Sequence, residues 1–270
     1  MSFLDKLKNL FKKGKTGNKS AIVPPPINGL KPKKPKPIED PTVTVLPPVD
    51  IPIVPPVVNV PEEEDFSGVV VMLDNGHGED TPGKCSPDKS IREYDYVRKA
   101  VKRIKKELDA LGIENYIVVP ETRDVKLRTR VNRANKREAE AAAEGKKAIF
   151  ISVHLNAAKN GIWYTARGWS AWTSKGQTAG DKLADCLYEA AHEVLDPKKI
   201  KIRTEKSDGD EDWESNFTVI AETSAPAVLT ENFFQDNKED VAYLLSEEGM
   251  NDVVKIHVEG IKKWIRKYGK

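Results

Sequence analysis

From residue 66 onward, apolar side chains fall into short unbroken runs, separated by longer stretches in which they recur every three or four positions. Val69-Val70-Val71-Met72-Leu73 is the first run, Ala148-Ile149-Phe150-Ile151-Ser152-Val153 the second and Ala227-Val228-Leu229-Thr230 the third. Runs of this length, rich in β-branched residues, predict strands buried on both faces. Between the first two, Ile91, Tyr94, Val97, Val101, Ile104, Leu108 and Leu111 keep a helical period that Gly112 closes, and residues 127–143 read as a second helix. Residues 115–119 and 168–173 read as further strands, and 178–195, 238–248 and 250–268 as helices. Strands alternating with helices of this length predict an α/β fold, a mostly parallel twisted sheet with helices on both faces.

Before residue 66 the pattern changes. Phe3, Leu4, Leu7, Leu10 and Phe11 share one helical face, with Lys6, Lys8, Lys12, Lys13 and Lys15 around and after it. Residues 2–15 thus form a short basic amphipathic helix, the type that lies in an anionic membrane surface. A partner-binding or solubilising arm is the alternative. Thirteen of the eighteen prolines then fall between Val23 and Pro61, a composition that builds no packed core and prefers extended polyproline geometry. At about 3.1 Å per residue such a linker reaches on the order of 100 Å. Val57-Val58-Asn59-Val60 is the one stretch of it that reads as an edge strand. The expected organisation is a basic amphipathic segment (1–22), a Pro-rich linker (23–65) and a catalytic domain (66–270).

Charge follows the same division. The net charge is +2, but residues 1–38 hold ten lysines against Asp5 alone, a charge of +9, which leaves −7 for the remainder. Nucleic acid is not an expected partner, because no base-stacking aromatics accompany the basic segment. No run has the length of a membrane-spanning helix, and the N-terminus lacks the apolar core and cleavage site of a classical signal peptide. Two cysteines define no disulfide framework. Cys85, in the loop between His77 and Glu93, reads as a free thiol rather than a metal ligand. Asp208-Gly209-Asp210-Glu211-Asp212 reads as a solvated acidic loop rather than a calcium loop.

The chemistry gathers where the buried runs stop. The first ends on Gly76-His77-Gly78, the second on His154-Leu155-Asn156, the third on Glu231, and Glu93 opens the first helix. Open α/β sheets place ligands at the C-terminal ends of their strands. Two imidazoles and a carboxylate suffice as the inner shell of a catalytic zinc, with a second carboxylate as general base. Each residue has a plainer reading: Glu93 fits a capping box with Ser90, and His154 fits a satisfied core histidine. Glu222 rivals Glu231. His192 falls on a surface face and His257 on a core face of its helix. Trp163, Trp169, Trp172 and Trp213 lie in or beside segments that border the cleft, and one or two of them are candidates to stack on a sugar.

Long gaps between these residues make spacing alone a weak argument. The motifs are more specific: Leu73-Asp74-Asn75-Gly76-His77-Gly78, Arg92-Glu93-Tyr94, Thr122-Arg123-Asp124 with Arg130-Val131-Asn132-Arg133-Ala134-Asn135, Ser152-Val153-His154-Leu155-Asn156-Ala157, and Pro226-Ala227-Val228-Leu229-Thr230-Glu231. In this order they resemble the type-3 zinc-dependent N-acetylmuramoyl-L-alanine amidases over about residues 67–268. The resemblance implies zinc held by His77, Glu93 and His154, Glu231 as catalytic base, and action in the cell envelope on peptidoglycan, at the amide between N-acetylmuramic acid and the L-alanine of the peptide stem. Arg123 and Asn156, within matched motifs, become substrate-binding candidates. Thr230 departs from the family's usual aliphatic residue. A zinc hydrolase of another amide bond and a non-catalytic murein-binding protein are the alternatives, and a resident autolysin or a phage endolysin fits equally.

Overall fold

The structure is a computed structural model that describes residues 65–159 and 161–270. The amphipathic helix read at 2–15, nearly all of the Pro-rich linker and the edge strand read at 57–60 lie outside the described residues.

The described chain builds one six-stranded sheet from β1 (Val69–Asn75), β2 (Glu114–Ile117), β3 (Lys147–Asn156), β4 (Ser170–Thr173), β5 (Trp213–Glu214) and β6 (Ala227–Phe234), in the order β2-β1-β3-β6-β4-β5. All neighbours run parallel except β4, which is antiparallel to β6. The helices are α1 (Glu93–Ala110), α2 (Leu127–Ala143), α3 (Asp181–Leu195), α4 (Thr218–Ala221), α5 (Lys238–Leu244) and α6 (Glu247–Tyr268).

Successive side chains of a strand point to opposite faces of its sheet, and the unbroken apolar runs feed two separate cores. Val69, Val71, Leu73, Ile149, Ile151 and Val153 pack with the apolar faces of α1, α3 and α6. Val70, Met72 and Phe150 pack on the other side with Ala134 and Ala141 of α2 and Val219 and Ile220 of α4. Burying each large apolar side chain contributes roughly 1.5–3 kcal/mol, so these strands have no solvent face to spare. That is the mostly parallel, doubly covered α/β sheet the sequence pattern predicts.

Several details differ. The second strand starts earlier than residue 115 and ends at Ile117, and residues 217–221 coil into α4 with its Phe217 cap. Two-residue β5 carries no pattern a sequence reading could catch. The acidic loop is not wholly solvated: Asp212 is buried, and its carboxylate accepts the Thr173 hydroxyl hydrogen bond from β4. The capping box is absent. Ser90 instead turns back on Asp88, through both its amide and its hydroxyl, so that Arg92 becomes the cap and Glu93 the first helical residue.

Candidate active site

At the end of β1 the chain must turn past the β3 ring system. Gly76 donates its amide to the Val153 carbonyl at 3.0 Å, and a Cβ at this position would sit 2.6 Å from the His154 ring. Glycine is therefore required there. His77 follows at φ 54, a left-handed conformation that a non-glycine residue adopts at a cost of about 1–3 kcal/mol. Two guanidinium groups offset that cost. Arg98 donates to the carbonyls of His77 and Glu121, and Arg130 to those of Asn75 and Val125 and to the carboxylates of Asp74 and Asp124.

This turn sets His77 against the other two predicted ligands. Glu93 Oε1 lies 3.5 Å from His77 Nε2 and 3.1 Å from His154 Nδ1, and the three donor atoms fall within 4.8 Å of one another. The two imidazole rings meet edge to face at 5.0 Å. Glu93 is fully buried; Leu155 N–H donates to its Oε1 and Gln235 Nε2 to its Oε2, each at 3.1 Å. Its carboxylate faces the sheet and not the helix cap, which removes the capping alternative.

A relay of hydrogen bonds sets the orientation of the His154 ring. An ionised carboxylate only accepts, so Ser152 Oγ donates to Asp74 Oδ2 at 2.7 Å and accepts from His154 Nε2 at 3.1 Å. With Nε2 carrying the hydrogen, Nδ1 is the nitrogen that presents a lone pair to Glu93 Oε1. Two lone-pair-bearing atoms 3.1 Å apart require a proton or a cation between them. The titration of the group expresses the same need. Burial disfavours a charged His154, but the Glu93 hydrogen bond and the charges of Glu93, Glu231 and Asp74 outweigh it and raise its pKa. Burial likewise opposes charge on Glu93, whose carboxyl is nevertheless held low by His154 and His77. His77, where burial prevails over the Glu93 charge, falls to about 4 and is neutral at pH 7. The donor set therefore fits a cation of the type that prefers nitrogen with one carboxylate.

Glu231 stands directly across the strand pairing from His154 in the β3–β6 register. Burial pushes its carboxyl up to about 7 against the attraction of His154, and its Oε2 has no hydrogen-bond partner among the described residues. A cleft of about 620 Å³ opens over His77, His154 and Glu231. Its lining also takes in Lys126, Leu127 and Arg130 from the start of α2 and Phe217, Thr218 and Val219 from the start of α4.

His77, Glu93, His154 and Glu231 thus come together, and Arg123 and Asn156 do not join them in the cleft lining. The Arg123 side chain is 80% exposed, 4.0 Å from Glu79, and Asn156 Oδ1 accepts the Ala157 amide beside a β-bulge. Glu222 pairs with Arg128 at the surface. His192 bonds Asp196 and Glu211, whereas buried His257 donates to the Val253 carbonyl and accepts from Thr230. Among the described residues no tryptophan lines the cleft: Trp169 is fully buried, Trp172 stacks with Trp213 and meets Phe217 edge to face, and Phe217 is the one phenylalanine, tyrosine or tryptophan in the lining. Cys85 is a free thiol outside the ligand cluster. Asp74, Ser152, Arg98, Arg130 and Gln235 are the supporting residues that sequence reasoning missed. For Asp74 and Ser152 a signal existed, a polar residue inside each apolar run.

Fold and site together define an α/β protein that gathers two imidazoles and a carboxylate at its strand ends, with a second, half-buried carboxylate beside them. The sequence profile of the N-acetylmuramoyl-L-alanine amidase family matches residues 71–263, and the chain belongs to that family. It is 32% identical over 196 residues to the endolysin of Bacillus phage SPP1, a match covering 71% of this chain and 64% of the endolysin. To the N-acetylmuramoyl-L-alanine amidase CwlM of Bacillus licheniformis it is 25% identical over 198 residues, 72% of this chain and 68% of CwlM. The match thus spans about two thirds of the length of these relatives. Among solved structures, the N-acetylmuramoyl-L-alanine amidase from Clostridium difficile 630 has the same fold, with a TM-score of 0.62, 24% identity, and coverage of 75% of this chain and 99% of that one.

Proposed function

We propose that this chain is a zinc-dependent amidase that hydrolyses the bond between the lactyl group of N-acetylmuramic acid and the L-alanine of the peptidoglycan stem. The observation that carries the reading is the approach of His77, Glu93 and His154 to within 4.8 Å beside the half-buried carboxylate of Glu231, in a chain of this family. His77 Nε2, a Glu93 oxygen and His154 Nδ1 would hold the metal. Zinc bound there supplies a Lewis acid for the carbonyl oxygen and lowers the pKa of water towards neutrality.

The rest is work for the chain's own groups. Asp74 and Ser152 keep the His154 proton on Nε2, so Nδ1 stays available. Arg98 and Arg130 hold the strained His77 turn. Glu231, poised near neutrality, takes a proton from the attacking water and returns it to the leaving alanine nitrogen. Leu127 and Phe217 add apolar surface to the cleft lining.

The test is product analysis on purified murein with metal content measured on the same preparation. One zinc per chain, new alanine amino termini and intact glycan are expected. Binding to murein without turnover, or cleavage at another amide, overturns the assignment.

The segments before the catalytic domain complete the proposal. Residues 1–22 dock on an anionic membrane and residues 23–65 act as a spacer, so that the enzyme works in the cell envelope at a set distance from a bilayer. Reversing Lys6, Lys8, Lys12 and Lys13 to glutamate in the full chain should abolish co-sedimentation with anionic vesicles. Unchanged partitioning sinks the docking idea and leaves the amidase assignment intact.

A further inference from the structure

Five lysines among the described residues are half-buried: Lys84, Lys105, Lys146, Lys262 and Lys263. Four of them hold a carboxylate, Lys105 that of Asp109, Lys146 that of Glu114, Lys262 that of Glu259 and Lys263 that of Glu193. The Lys84 ammonium alone has no ion-pair or hydrogen-bond partner among the described residues. It is also the one that lines the cleft with His77, His154 and Glu231.

Its position is fixed by the backbone. The Lys84 carbonyl accepts the Glu93 amide at 3.0 Å, which ties the root of the side chain to the residue that opens α1. Its charge reaches the catalytic groups, working to lower the pKa values of His77, Glu93 and Glu231. Lys126, also in the lining, exposed and likewise without an ion pair among the described residues, adds a second positive charge. An ammonium without an ion-pair partner in a cleft favours an anionic ligand at that spot, and a concave site concentrates the field.

The proposed reaction says which anion arrives. The scissile amide must lie against His77, His154 and Glu231, and one extended residue advances the chain by only about 3.5 Å. A carboxylate on the residue after alanine therefore stays within the reach of a lysine anchored beside Glu93. We propose that Lys84 is the specificity residue of the cleft, selecting stems whose residue after alanine bears a free α-carboxylate over stems amidated there. The inference rests on the amidase reading and adds the substrate class to it. A plain counter-charge for Glu231 is the competing role, and it would act on both kinds of stem alike.

The experiment compares full-length wild type, Lys84→Gln and Lys84→Arg on N-acetylmuramoyl-L-alanyl-D-glutamate and on the same compound amidated at its α-carboxylate. The wild type should favour the acid by about tenfold in kcat/KM, the range of one charge-assisted hydrogen bond. Lys84→Gln should bring that ratio close to one through KM, and Lys84→Arg should retain most of it. No wild-type preference overturns the proposal, as does an equal loss on both compounds in Lys84→Gln. Calorimetric binding of the same two compounds, which needs no turnover, separates this inference from the amidase reading. Tighter binding of the acid that vanishes in Lys84→Gln supports recognition even where cleavage fails, and equal affinities overturn it.

Discussion

Glu231 on β6 and Asp212, just before β5, lie on the same side of one sheet order, and burial pushes each carboxyl up to about 7. Their surroundings differ. Glu231 faces two imidazoles and an open cleft, whereas Asp212 bonds Thr173 and is raised further by Asp210 and Asp181. Each also leaves one oxygen without a hydrogen-bond partner among the described residues. A raised pKa by itself therefore does not mark a catalytic base; access to a reacting atom does.

The largest expected effect separates the two at once. On the proposed mechanism, Glu231→Gln should lower kcat by about 10²–10⁴-fold, the usual contribution of a positioned base, without loss of zinc binding. Asp212→Asn should leave turnover unchanged. Alanine amino-terminus release and metal analysis on both variants would read this, and a comparable loss in the two would erase the distinction.

A smaller effect concerns the metal. The His154 pKa is raised, and the ligand must shed its proton to bind, so zinc affinity should fall as pH drops through that value, about tenfold per unit for one displaced proton. Ser152→Ala, which removes the relay from Asp74, should weaken zinc by about 10–100-fold at fixed pH. Chelator competition between pH 5.5 and 8 measures both; a flat profile would mean that Nδ1 is not the ligating atom.

The smallest effect lies at Asp212 and is one of stability. A carboxyl with a raised folded pKa keeps a proton that the unfolded chain releases above about 4, so this site costs stability as pH rises from about 4 to 7. Asp212→Asn should therefore stabilise the fold at pH 8 by on the order of 1–2 kcal/mol and have little effect at pH 4. Denaturant melts at the two pH values decide it, and stabilisation equal at both would place the cause elsewhere.

The parts of the site that were legible before folding are those that burial marks directly. Val69 to Leu73, Ile149 to Val153 and Val228 to Leu229 have no exposed face, so their runs are unbroken and their ends are visible. His77, His154 and Glu231 sit at those ends or one turn beyond. Glu93 was ambiguous, because the Ser90 spacing suits a cap and only the Asp88-centred turn frees the glutamate. The Asp74–Ser152–His154 relay joins residues 78 positions apart, and Gln235 reaches Glu93 across 142. Such pairings belong to the tertiary fold, and no local pattern announces them. Arg123 and Asn156 show the converse: membership of a matched motif does not by itself bring a side chain into the cleft lining.

The register that pairs His154 with Glu231 has a bearing on how such a domain can change over generations. Neighbouring strands stand about 4.8 Å apart whatever decorates their ends, so the spacing of His154, the proposed metal ligand, to Glu231, the proposed base, is inherited from the sheet. The cleft walls, by contrast, come from the segments around Lys84, Lys126 and Phe217. Those segments are free to be exchanged, lengthened or recharged to suit a different envelope while the reacting geometry passes on intact, which makes the sheet a reusable chassis for new substrate preferences.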